Sequence, residues 1–168
     1  LNQRQPWETV NRGVDGFTLN RVLESFRHNF PEKNPDIITL LIGINDVGLW
    51  MANPSIPLFH QAAQFRLKLT RLLKLLSRNT ASVYVLEPFV FPHPAEYLNW
   101  FEPLAAISQI MEELCQTYQA KFIPLHQSFN HLASQVGYPL LTTDGIHLTA
   151  VGHRIIAAKL MEYFENPA

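Results

Sequence analysis

Hydrophobic positions along this chain change period several times, and each change marks an element. From Thr18 to Phe30, Leu19, Val22, Leu23 and Phe26 recur at helical spacing, which predicts a helix with one apolar face and Thr18 as its N-cap. After the polar stretch PEKNPD comes DIITLLIG, apolar at almost every position. A run of that kind predicts a parallel strand buried on both faces between helices. From about His60 to Arg78 the helical period returns, with Phe65, Leu69, Leu72, Leu73 and Leu76 on one side and Lys68, Arg71, Lys74 and Arg78 on the other. SVYVLEP reads as a second buried strand, stopped by Pro88. FVFPHPAEYLNW is too irregular for a helix until about Tyr97, and a helix over 97–119 leads into the short strand KFIPL. A brief helix near Ser128–Val136 and a closing helix in LTAVGHRIIAAKLMEYFE complete the pattern. At the front, ETVNRG reads as a short strand.

Strand and helix thus alternate, and the interior strands are apolar throughout. The expectation is an α/β protein of three layers, helices covering both faces of a mainly parallel sheet. No internal repeat and no linker divides the chain, so residues 1–168 read as one domain. In such sheets ligands and chemistry gather in the loops past the carboxyl ends of the strands. Three loops there carry polar residues: RGVDGFT, GINDVG and TTDGIH.

Composition narrows the partners. The chain is 168 residues, 47% hydrophobic and 16% charged, with a formal net charge of −1, which gives no electrostatic reason to expect nucleic acid as the main partner. The basic stripe on the 60–78 helix reads as a solvated face. No apolar run approaches the ~20 residues of a membrane span. The single cysteine, Cys115, excludes an intrachain disulfide and a multi-cysteine metal site, and its helical spacing with Ile110, Leu114 and Tyr118 places it in the core. No leader is legible, but the sequence begins at Leu1 rather than methionine. The compartment therefore stays open, with the cytoplasm as the default expectation.

Chemistry concentrates in TTDGIH. Asp144 and His147 lie three residues apart around Gly145, so a carboxylate and an imidazole can meet in one tight loop. A carboxylate accepting from Nδ1–H holds an imidazole in the tautomer a general base requires. A plainer reading makes Asp144 a cap for the last helix and His147 a surface residue. In GIND, Asn45 offers amide donors of the kind that stabilise an oxyanion, or it is a turn residue; Asp46 reads as capping or turn-forming. In NRGVDGFT the glycines allow close backbone approach, with no phosphate-loop or dinucleotide spacing. His28, His60, His93, His126, His131 and His153 show no metal-ligand spacing, and neither a metal nor a cofactor is expected. Trp50, Phe89, Phe91 and Trp100 read equally as cleft lining or as loop anchors.

Taken in order, the three loops resemble the SGNH hydrolases, the GDSL esterase/lipase family. NRGVDGFT is similar to the family's glycine block, GIND to its Gly-x-Asn-Asp block and DGIH to its Asp-x-x-His block. The resemblance spans about Val10 to Phe164. It implies a flavodoxin-like α/β/α fold, Gly16 and Asn45 as oxyanion donors, Asp144 and His147 as acid and base, and a small-molecule ester as substrate. IGINDV and EPFVFPHP look like the small acyl- and acetyl-esterase branch, whose substrates are often O-acetylated sugars.

The departure is the nucleophile. The family's Gly-Asp-Ser block comes first, at the end of the first strand, and has no counterpart here; by the resemblance both serine and strand would lie upstream of Leu1. Ser25, Ser108 and Ser134 fall within helical patterns, Ser77 ends one, Ser82 opens a strand, and Ser55 and Ser128 lack a glycine-rich elbow. The expectation is a serine esterase domain without its first strand, inactive alone. The alternative is an α/β binding domain that keeps the fold without the chemistry. Oligomeric state is not legible.

Overall fold

The computed structural model describes residues 7–28, 35–78 and 80–165. Among them three parallel strands form a sheet in the order β1 (Ile37–Leu41), β2 (Ser82–Leu86) and β3 (Lys121–Ile123). Ile37 faces Ser82 and Leu41 faces Leu86 across the first pair, while Tyr84 faces Lys121 across the second. The helices are α1 (Leu19–His28), α2 (Ile44–Ala52), α3 (Leu58–Leu76), α4 (Phe101–Thr117), α5 (His126–Val136), α6 (Tyr138–Leu141) and α7 (Ala150–Glu165).

The period-two geometry of β2 generates the layers. Val83 and Val85 point into a core shared with α1, α2, α3 and α4, and Tyr84 and Leu86 point into a second core with α5, α6 and α7. The strand is buried from Val83 onward because both faces are covered. Phe65, Leu69, Leu72, Leu73 and Leu76 supply the buried stripe of α3, as their spacing predicts. Cys115 is buried in α4. Burial pushes its thiol up to about 12, with the Glu112 charge acting in the same direction, so no reactive thiolate forms there.

Several expectations need correction. ETVNRG is not a strand: residues 7–14 have no regular structure, and Val10 is 67% exposed. An extended segment becomes a strand only by joining a ladder, and this one is not among the three described strands. DIITLLIG does form β1, yet the strand is not covered on both faces. It is an edge of the described sheet, with Thr39 exposed and Leu41 48% exposed.

The aromatic connection is also more ordered than its prolines suggest. Ala95–Trp100 forms a 3₁₀ turn, so α4 starts at Phe101 rather than Tyr97. The helix expected from Ser128 starts at His126, because the Glu87 carboxylate accepts from the Leu125 and His126 N–H groups, at 2.7 and 2.8 Å, and caps it from outside. The last two residues of the 18–30 helix and most of PEKNPD lie outside the described residues.

Candidate active site

The TTDGIH loop, the candidate acid–base loop, is built by a set of short hydrogen bonds. Asp144 Oδ1 accepts from the backbone N–H groups of Ile146 and His147, at 2.9 and 2.8 Å, which folds the chain back over the carboxylate. The other oxygen, Oδ2, lies 2.6 Å from His147 Nδ1. That contact places the proton on Nδ1 and leaves Nε2 as the basic nitrogen. Thr142, buried beneath the loop, accepts from the Gly145 N–H at 2.8 Å and donates to the His147 carbonyl at 2.8 Å. Gly145 has φ +94°, and a Cβ there would overlap the His93 carbonyl oxygen and press on the Tyr97 ring. Only glycine fits.

Electrostatics follow from these contacts. Burial pushes the Asp144 carboxyl up, but the His147 ring and the His147 and Ile146 N–H groups together outweigh it and hold the group at about 2. The hydrogen bond to Asp144 raises His147 above its ordinary value, aided by Asp15, and partial burial opposes both.

The glycine loop comes to the same place. Residues 14–17 make a turn closed by Phe17 N–H to the Val14 carbonyl at 3.3 Å, with Gly16 at φ +74° as the third residue of a type II turn requires. Space beside Gly16 is open: an added Cβ would meet nothing within 4 Å. Asp15, at the tip, brings Oδ1 to 3.6 Å from His147 Nε2.

Asn45, read as an oxyanion donor or a turn residue, and Asp46, read as capping or turn-forming, occupy the first turn of α2 and grip the same segment from below. Asn45 Nδ2 donates to the Phe17 carbonyl at 3.1 Å. An amide has two N–H groups, so one remains for another acceptor. Asp46 is buried, and its Oδ2 accepts from Leu19 N–H at 2.9 Å. Thr18 does stand at the N-cap position, its carbonyl accepting from Val22 N–H, but a carboxylate from another element satisfies the first free N–H of α1. Burial drives the Asp46 carboxyl up to about 6, against the pull of that N–H and of Lys68.

Gly16, Asn45, Asp144 and His147 are therefore joined through one turn. Of the aromatic candidates, Phe89 and Phe91 are buried core residues packed on Phe129, not cleft lining. Tyr97 and Trp100 pack edge to face, Tyr97 against Gly145 and Trp100 against Gly48 of α2, and so tie the acid–base loop to the asparagine helix. Thr142 and Asp15 were not singled out from sequence. A threonine just before an Asp-Gly turn was a signal for the first; nothing in the sequence marked the second.

Comparison with known proteins identifies the family and the fold. The model of the GDSL-like lipase/acylhydrolase family matches residues 1–155, and the chain belongs to that family. It is 20% identical over 149 residues to an acetylxylan esterase from Geobacillus stearothermophilus, covering 88% of this chain and 68% of the relative. Its fold is similar to that of an alpha/beta hydrolase enzyme from the metagenome of Lake Arreo, Spain, with a TM-score of 0.77 and 18% identity over 91% of this chain and 70% of the other. A solved structure of a Geobacillus stearothermophilus acetyl xylan esterase variant gives the same TM-score of 0.77, at 18% identity and with the same 91% and 70% coverage. No described helix is long and apolar enough to cross a membrane.

Proposed function

We propose that this chain is the acid–base and oxyanion portion of a serine ester hydrolase acting on short-acyl esters, O-acetylated carbohydrate among them. In this reading His147 is the general base, Asp144 orients it, and the Gly16 N–H and the second Asn45 N–H receive the oxyanion. One observation carries the reading: the 2.6 Å contact of Asp144 with His147 Nδ1, which leaves Nε2 directed at the glycine loop.

The nucleophile is taken to be a serine encoded before Leu1, and the 168 residues alone to be inactive. Three serines of the chain are engaged elsewhere: Ser77, Ser128 and Ser134 donate to backbone carbonyls one helical turn back, and the partners of the His147 ring are Asp144 and Asp15, not a serine. Two structural neighbours support the pairing of serine with histidine, since catalytic mutants of the Geobacillus stearothermophilus acetylxylan esterase replace one residue of each kind by alanine. That relative also motivates the acetyl-carbohydrate substrate class.

The test is to label the full-length protein with a fluorophosphonate and map the modified residue. Modification of a serine preceding Leu1, blocked by prior acylation, is expected. Labelling within the 168 residues would relocate the nucleophile, and no labelling would favour a non-catalytic binding domain.

A further inference from the structure

Asp15 lies where an ester hydrolase of this design would meet its substrate. Its place is fixed by the backbone: it is the second residue of the 14–17 turn, between the Val14 carbonyl that closes the turn and Gly16 at φ +74°. The side chain projects from the tip, 91% exposed, with Oδ1 3.6 Å from His147 Nε2. In the proposed chemistry Nε2 passes a proton to the leaving alcohol, so the ester must come within a few ångströms of this carboxylate.

The two carboxylates at His147 differ in what surrounds them. Asp144 is bound by the imidazole N–H and two backbone N–H groups, which spread its charge into the loop. Asp15 makes a long contact to a nitrogen that is neutral when the base is competent, so in the active protonation state it presents a full negative charge to the substrate. We propose that Asp15 sorts ester substrates by charge, disfavouring those with an anionic group near the scissile bond and accepting neutral or cationic ones. This rests on the esterase reading above.

Coulomb repulsion at such distances near a protein surface amounts to about a tenfold effect on kcat/KM, and salt screens it over a length of ~10 Å at 0.1 M. Asp15 also favours the protonated imidazole, but that acts on all esters alike and cancels in a ratio of substrates.

The experiment compares mono-4-nitrophenyl glutarate with its methyl ester, a nearly isosteric anionic and neutral pair, on the full-length enzyme at a pH where activity no longer rises. The anionic-to-neutral ratio of kcat/KM is expected to rise about tenfold in Asp15→Asn and Asp15→Ser. Added salt should raise the ratio in the wild type but not in the variants. A ratio that stays within about twofold in both variants and ignores salt would overturn the assignment. Loss of turnover on both esters in the wild type would instead remove the esterase reading on which the assignment rests.

Discussion

The amide of Asn45 donates to the carbonyl of Phe17, 3.1 Å away and 28 residues earlier in the chain. This bond makes Asn45 a tether for the glycine turn as well as a proposed oxyanion donor, so its removal has two separable consequences. Asn45→Ala should lower kcat by roughly 10²–10³ with little change in KM, because the second N–H acts only as charge develops. It should also lower stability by about 1 kcal/mol through the lost tether. Steady-state kinetics and a thermal melt on the same variant check both; a loss confined to KM would mean that Asn45 binds the ground state.

Gly145→Ala tests the acid–base loop without touching either ionisable group. A positive φ costs a non-glycine residue of order 1–3 kcal/mol, and the overlap with the His93 carbonyl adds to it. The variant should be less stable by at least about 2 kcal/mol and should lose activity, because the loop must shift from under Asp144. A denaturant melt unchanged from the wild type would contradict the described geometry. Alanine at Gly16, with open space around it, should incur only the φ cost.

Asp46 gives a stability prediction whose sign depends on pH. Its folded value of about 6 lies above the ordinary 3.8, so the native state binds the extra proton between these values and stability falls as pH rises through them. Above about pH 6 the buried charge costs up to roughly 3 kcal/mol. Asparagine can accept the Leu19 N–H without that charge. Asp46→Asn should therefore raise Tm at pH 8, with a gain that shrinks toward pH 4, as calorimetry across that range would show. A gain independent of pH would argue against a buried ionised Asp46.

The acid–base pair predicts the form of the pH–rate profile. As the proposed general base His147 must be neutral to act, and its raised value should move the acid limb of kcat/KM above the ordinary 6.5. Asp144, at about 2, stays ionised throughout. In Asp144→Asn the plateau should fall and the limb should shift to lower pH, since the group that favours the imidazolium is gone. An unshifted limb would mean that another group titrates.

What was legible in the sequence divides along a physical line. Patterns satisfied within one element held: the α3 stripe needs only helical periodicity, and β2 needs only an apolar run. The Asp144–His147 pair was legible for the same reason, because both residues and the glycine between them sit in one loop. Features that depend on a partner from elsewhere were misread or left open. ETVNRG has strand-like residues but joins none of the described strands, and Phe89 and Phe91 read equally as cleft lining or loop anchors until α5 is seen to cover them. The capping of α1 by Asp46 and the approach of Asp15 to His147 join residues 27 and 132 positions apart. No local pattern encodes such contacts; the family resemblance alone brought Gly16 and Asn45 together with the acid–base loop.

The central claim is that His147 is the general base of an esterase. It is tested most directly by kcat/KM of the full-length His147→Ala variant on 4-nitrophenyl acetate, beside the wild type, with a thermal melt to verify the fold. Loss of the base should reduce turnover by about 10³-fold or more while Tm stays within a few degrees of the wild type. Near-wild-type turnover in a folded His147→Ala protein would contradict the account.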